Sequence, residues 1–136
     1  MSNISDYAIT QYLTTFGPLV APTLPPGFYL CLCTSLPVHG NTGATIAELT
    51  SAGGYARAPM VFGSPSGGSM NNATSIVFIP SSAAYSASAG YWAVTDSPTI
   101  GAGNLWYFGT FTALIAVTLA NYQVVIPPNS ISLGAS

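Results

Sequence analysis

The sequence predicts an all-β protein, an antiparallel β-sandwich or jelly-roll-like barrel of about eight short strands, with a short N-terminal helix and a proline-rich arm. Two observations predict this fold. From Gly27 onward the chain consists of short runs rich in β-branched and aromatic residues, bounded by Gly, Pro, Asn or Ser. No second helical pattern interrupts them, and short strands without helices are typical of sandwiches and barrels. A chain of 136 residues is long enough to bury one such core.

The predicted helix opens the chain. Ser2 or Asn3 can cap its N-terminus, because both side chains accept hydrogen bonds from the first free backbone N–H groups. Apolar residues then recur at helical spacing until about Phe16, and Gly17 ends the pattern.

A proline-rich segment separates this helix from the rest of the chain. Residues 17–27 contain four prolines, which favours an extended connector. We therefore expect two parts, a helix and arm over residues 1–26 and a β-sandwich body over residues 27–136. The predicted strands of the body are 28–35, 54–62, 75–80, 90–96, 104–112, 114–120, 122–127 and 130–134. Long polar loops are expected at 40–54 and 63–75.

Charge is the unusual feature of the composition. Charged residues make up 3% of the chain, whereas about 25% is typical of soluble domains. The chain has no lysine, and its fixed charges are Asp6, Glu48, Arg57 and Asp96. One cation excludes electrostatic binding to nucleic acid, which needs several Lys or Arg residues. A surface with so little charge also disfavours a free monomer, so we expect a homo-oligomer, with a trimer favoured.

The high apolar content does not predict a membrane protein. The longest apolar run, residues 113–120, is too short, because a spanning helix needs about 20 such residues. The N-terminus lacks the basic region and apolar core of a signal peptide. We therefore expect neither membrane insertion nor secretion.

The two cysteines and the one histidine are too few to predict a disulfide or a metal site. On a strand, Cys31 and Cys33 point to the same face, where they are poorly placed to form a disulfide with each other. A zinc site needs more ligands than these thiols and His39 supply. We expect two buried free thiols, no metal and no cofactor.

Few catalytic arrangements can be assembled from this sequence. His39 and Asp96 would need a serine to form a triad, and no G-x-S-x-G elbow presents one. Glu48 and Asp96 would be a glycosidase-like pair, but the chain lacks the polar and charged residues typical of such clefts. We predict no catalytic residues and no enzymatic activity.

Aromatic residues cluster on two predicted strands. Trp92, Trp106 and Tyr107 are candidates for stacking on a sugar or for packing in a core or interface. We favour packing, because alternate positions along a strand must be buried in any case.

The only arginine lies in the motif "GGYAR", residues 53–57. On a regular strand, Tyr55 and Arg57 would share the face opposite to Ala58. Pro59 cannot donate a ladder hydrogen bond, which predicts an edge or bulged strand. A single guanidinium needs acceptors, and Glu48 precedes it by a short stretch of chain. We predict a bidentate Arg57–Glu48 pair, within the subunit or across an interface.

The order of several motifs resembles that of small tailed-bacteriophage virion structural proteins, often described as tail-fibre proteins. The motifs are "FYLCLCTSLP", Glu48, "GGYAR", "IVFIP", "GYWAVTD", "AGNLWYFGTF" and "VVIPPNSISL", which span nearly the whole chain. The resemblance implies a β-rich virion component without enzymatic activity, assembled in the host cytoplasm.

Within that resemblance, the compact body and the arm favour a capsid cement or decoration protein. Its partners would be copies of itself and other virion proteins, with the major capsid protein as the first choice. A tail, baseplate or tail-fibre component is the alternative, and a carbohydrate-binding β-sandwich module is a second alternative.

Overall fold

The computed structural model describes residues 4–21 and 24–134. In these residues the chain forms one α-helix and eight β-strands. They are α1 (Asp6–Phe16), β1 (Phe28–Cys33), β2 (Ala58–Met60), β3 (Ser69–Asn71), β4 (Ile76–Val77), β5 (Ala89–Thr95), β6 (Leu105–Ile115), β7 (Val125–Ile126) and β8 (Ser132–Gly134). A single turn of 3-10 helix, Ala52–Gly54, precedes β2.

The strands form three antiparallel units. A four-stranded sheet has the order β2-β1-β5-β6, and the other strands form two-stranded ladders, β3 with β8 and β4 with β7. The predicted fold class is confirmed: the protein is antiparallel and mostly β, with eight short strands and one short N-terminal helix.

The main core lies on one face of the four-stranded sheet. Leu30 and Leu32 point to that face, since alternate residues of a strand share a side. They belong to one buried cluster that also contains residues of both ladders, namely Ile76, Ile126 and Leu133. The ladders therefore cover the sheet and close the core.

A smaller cluster lies on the opposite face of the sheet. Cys31 and Cys33 are completely buried there and pack with Ile46 and Phe108. Both thiols are free, so the prediction for the two cysteines is confirmed. Ile46 belongs to the long connection between β1 and β2, which covers this face.

Several strands are shorter than predicted, and two larger differences change which segments form strands. The runs 104–112 and 114–120 were expected as separate strands, but β6 is one strand that ends at Ile115, because no turn residue divides them. The polar residues of β3 lie in the segment 63–75, which was expected to be a loop. They form a strand because β8, at the far end of the chain, pairs with them.

The helix begins at Asp6, and its N-cap is Ser5, whose side chain accepts a hydrogen bond from Ala8 N. The predicted caps, Ser2 and Asn3, lie outside the described residues. The helix ends at Phe16, as predicted. Ser5 Oγ also donates to the carbonyl oxygen of Leu105, which ties the start of α1 to β6.

Helix α1 packs against the β-body. Ala8 is completely buried in the main cluster, and the hydroxyls of Tyr12 and Tyr107 are hydrogen-bonded. The division into residues 1–26 and 27–136 stays a prediction. No helix in the described part of the chain is both long and apolar enough to cross a bilayer.

Candidate functional site

The path of the chain before β2 positions the arginine. Gly53 and Gly54 have φ values of 70° and 80°, a region that favours glycine, and they turn the chain ahead of Tyr55. The strand expected over 54–62 therefore contains only Ala58–Met60. Because residues 55–57 lie outside the strand, Tyr55 and Arg57 are both buried rather than on an outer face.

The strand itself is an edge strand, as Pro59 predicts. β2 lies at one end of the four-stranded sheet, and Pro59 is exposed. Proline has no N–H group to offer a further strand, so it blocks this edge.

Arg57 and Glu48 form the predicted ion pair. Arg57 Nη2 lies 2.7 Å from Glu48 Oε1, and Arg57 Nε lies 2.9 Å from Glu48 Oε2. The two side chains are 0% and 3% exposed, so both charges are buried. The pair lies within one subunit, because both partners belong to the same chain and their side chains are shielded from water.

The remaining donors of Arg57 bind three further segments. Nη1 donates to Thr95 Oγ1 at 2.9 Å, to Ser97 O at 2.9 Å and to Ala102 O at 2.8 Å. Nη2 also donates to Gly43 O at 3.1 Å. The guanidinium thus joins the long β1–β2 connection to the β5–β6 turn.

Two opposing effects act on the pKa of Arg57. Burial lowers it, but the hydrogen bonds to Glu48 and the electrostatic attraction of Glu48 and other neighbouring acidic groups together more than offset this, and the pKa lies above its ordinary value. The guanidinium is therefore a permanent charge inside the protein.

Tyr55 completes this arrangement. Its hydroxyl donates to Glu48 Oε2 at 2.8 Å and accepts from Leu32 N at 2.9 Å. Leu32 lies beyond the end of the β1–β2 pairing, so the hydroxyl satisfies a backbone N–H that β2 leaves free. Burial, with the neighbouring Cys31 and Glu48, raises the pKa of Tyr55. We call Arg57, Glu48, Tyr55 and Thr95 the Arg57 network.

Asp96 stabilises the β5–β6 turn. Its carboxylate accepts from Asn104 N at 2.7 Å, from Asn104 Nδ2 at 3.0 Å and from Trp106 Nε1 at 3.1 Å. Burial raises the pKa of Asp96, but these hydrogen bonds more than offset it, so that the pKa is lowered.

The catalytic arrangements weighed from the sequence are not formed in the described residues. Glu48 and Asp96 each bind their own set of donors, and His39 Nδ1 is hydrogen-bonded to Ile4 O at 2.8 Å rather than to Asp96. The described residues contain no group of three side chains able to hold a metal ion. The hydrogen bonds of Arg57 to Gly43 O and Ala102 O hold two loops together.

The aromatic candidates lie in the core. Trp92, Trp106 and Tyr107 are all buried, and a Cβ at Gly109 would overlap the ring of Trp92. Trp106 packs edge-on against Phe28, with ring centroids 5.5 Å apart. All three side chains thus pack against other core residues, and Trp106 and Tyr107 also line a hollow beside α1.

The surface is almost free of charge. Glu48 and Arg57 neutralise each other inside the protein, and Asp96 is half-buried in its hydrogen bonds. Among the described residues, Asp6 is the one charged side chain that is exposed.

The surface also carries two groups of exposed apolar side chains. The helix stripe consists of Ile9, Leu13 and Phe16 on the outer side of α1. The sheet patch consists of Val77, Ile79, Leu114, Tyr122 and Val125, all exposed. Neither surface was predicted from the sequence. The spacing of the helix stripe, at i, i+4 and i+7, is a signal that would have found it.

A comparison with protein families matches residues 3–133 to the model described as Podophage GP4 fiber I protein gp80. No curated protein matches the chain.

Proposed function

The chain belongs to the Podophage GP4 fiber I protein gp80 family and is a structural protein of a phage virion; on that premise we propose that it is a non-enzymatic subunit of the tail-fibre apparatus. In this role, a compact β-body joins other virion proteins through its uncharged, apolar surfaces.

The family match carries this proposal, because it extends over residues 3–133, nearly the whole chain. The charge distribution supports it physically. The cores of protein interfaces are depleted of charged residues, and removing a charge from water opposes association. Among the described residues, Asp6 is the one charged side chain that is exposed. Burying this surface in an interface would therefore remove almost no charge from water.

The buried Arg57 network is also consistent with a structural role. It orders the β1–β2 connection and the β5–β6 turn without presenting a reactive group at the surface. Its carboxylate is already saturated by Arg57 and Tyr55, which suits a support rather than an acid or base.

The decoration role on the capsid stays a prediction, and the family match favours the fibre over it. The two locations differ in copy number. A protein that decorates every capsomer is present in hundreds of copies, whereas the symmetry of a tail admits at most a few dozen.

Quantitative mass spectrometry of purified virions, with the major capsid protein as the internal standard, tests the proposal. We expect at most a few dozen copies and immunogold label at the tail. Virions lacking the protein should keep heads of normal heat resistance. Hundreds of copies with label over the head would contradict the fibre role and support decoration.

A further inference from the structure

A hollow of about 270 Å³ lies beside α1, where the helix meets the sheet. Five aromatic side chains line it, namely Tyr12, Phe16, Phe28, Trp106 and Tyr107. Phe16 is 71% exposed and lies at the open side, whereas Trp106 and Tyr107 are buried. The hollow is smaller than the roughly 300–1,000 Å³ of pockets that enclose a drug-sized ligand, so it fits a few side chains rather than a whole cofactor.

The rings of the hollow are fixed by their neighbours. Phe28 packs edge-on against Trp106 and against Tyr107, with ring centroids 5.5 Å and 6.0 Å apart. The hydroxyls of Tyr12 and Tyr107 are hydrogen-bonded, and Trp106 Nε1 donates to Asp96. The aromatic surface is therefore preorganised, so a ligand does not have to order it on binding.

The proline-rich segment that follows α1 already contributes to this surface. Leu24 and Pro25 line the hollow together with the aromatic rings, but Leu24 stays 77% exposed. The segment thus borders the hollow without filling it. A leucine–proline sequence is chemically compatible with the rings, and the remaining space is open to a further segment of that kind.

The polar groups of the hollow suit a polypeptide backbone rather than a charged side chain. None of the described residues that line it is charged. Gln11 and Thr15 lie one turn apart on α1 and both line the hollow, so an amide and a hydroxyl lie on the same side of the helix. A polyproline II helix has no internal hydrogen bonds, so its carbonyl oxygens are free to accept from such donors.

We propose that this hollow binds an extended, uncharged proline-rich segment of another virion protein. Aromatic-lined grooves bind polyproline II segments in several recognition domains, because the segment is already extended and loses little conformational entropy. The same segment of a second copy is not free for this contact, because Leu24 and Pro25 of each copy already border their own hollow. The inference deepens the proposed function and rests on it for the presence of neighbouring virion proteins.

Peptide titration of the whole protein tests this binding. The probe has the sequence of residues 19–27, which contains three prolines and no charged residue, with both ends blocked. Isothermal titration calorimetry measures its affinity, and NMR spectra follow the indole N–H groups of both tryptophans. We expect a Kd of about 10 μM to 1 mM, because few side chains are buried. The signal of Trp106 should shift, whereas that of Trp92, which does not line the hollow, should stay unchanged.

Two variants and a second peptide locate the contact. Phe16→Gln removes a ring from the hollow and should weaken binding about tenfold or more. Leu13→Gln is the matched control, because Leu13 is exposed on the same helix but does not line the hollow. It should change the Kd by less than about twofold. A peptide with alanine in place of every proline should bind at least about tenfold more weakly than the probe. Circular dichroism confirms that each variant is folded.

The proposal is overturned if the probe gives neither heat nor a shift of Trp106 at about 5 mM. It is equally overturned if the alanine peptide binds as tightly as the probe, or if Leu13→Gln weakens binding as much as Phe16→Gln. Self-association of wild type that Phe16→Gln abolishes and Leu13→Gln does not, measured by sedimentation velocity, would assign the hollow to a second copy instead. Copy number and location in the virion are measured separately, so a failure here leaves the proposed function standing.

Discussion

Arg57 and Glu48 face each other through two nearly parallel hydrogen bonds, Nη2 to Oε1 at 2.7 Å and Nε to Oε2 at 2.9 Å, with both side chains shielded from water. This is the bidentate geometry in which a guanidinium binds a carboxylate most strongly. The partners are nine residues apart, on either side of the 3-10 turn, so the pair closes a loop.

The first prediction concerns the cost of breaking this pair. Arg57→Met keeps much of the apolar stem and leaves Glu48 as an unpaired buried carboxylate. The free energy of unfolding should fall by about 3 to 5 kcal/mol, the range for one partner removed from a buried pair. Urea denaturation measures it. Asp6→Asn, at an exposed site in the first turn of α1, is the control and should change stability by less than about 1 kcal/mol, the range for a charge near a helix terminus.

The double variant separates direct coupling from general damage. Glu48→Gln should cost about as much as Arg57→Met, and the two changes together should cost at least about 1 kcal/mol less than their sum. Additive losses would mean that the two side chains stabilise the fold independently, contrary to the observed contact.

The second prediction compares two tyrosines whose rings touch edge-on, Tyr55 and Tyr85, with centroids 5.5 Å apart. Tyr55→Phe removes the partner of Leu32 N and of Glu48, so stability should fall by about 1 to 3 kcal/mol. The hydroxyl of Tyr85 is buried without a hydrogen-bond partner among the described residues. Tyr85→Phe should therefore leave stability unchanged or raise it by about 1 kcal/mol. Equal losses in the two variants would refute the contrast.

The third prediction is a pH dependence that arises from Asp96. Its pKa is lowered in the folded state, so its contribution to stability is fully present above about pH 4, the ordinary aspartate pKa. That contribution is lost as the pH falls through the lower folded pKa. Asp96→Asn should flatten the decline in the free energy of unfolding between pH 5 and pH 2, measured by urea denaturation. A slope identical to that of wild type would show that Asp96 does not contribute to it.

The fourth prediction concerns thiol reactivity. Burial, with Glu48 nearby, raises the pKa of Cys33 to about 12, and burial raises that of Cys31 well above its ordinary value. The thiolate is the reactive form, so at pH 8 iodoacetamide should modify neither cysteine in the folded protein and both in urea. Mass spectrometry counts the adducts. Modification of Cys33 in the native state within minutes would contradict its burial.

The sequence by itself determined the features that depend on neighbouring residues. Short β-rich runs between turn residues indicate the all-β class, and Gly17 marks the end of the helix. Pro59 predicts an edge strand because it lacks an N–H group. Arg57 predicts the contact with Glu48, because a single cation in an uncharged chain has few other partners.

The tertiary structure alone decided the features that depend on distant residues. The polar strand β3 exists because β8 pairs with it from the far end of the chain. The other acceptors of Arg57, at Gly43 and Ala102, are loop carbonyls that every residue possesses, so no side-chain pattern identifies them. The outer side of α1 is exposed because its inner side already meets β6. Local periodicity specifies which residues share a face, but only the packing of the whole chain decides which face remains uncovered.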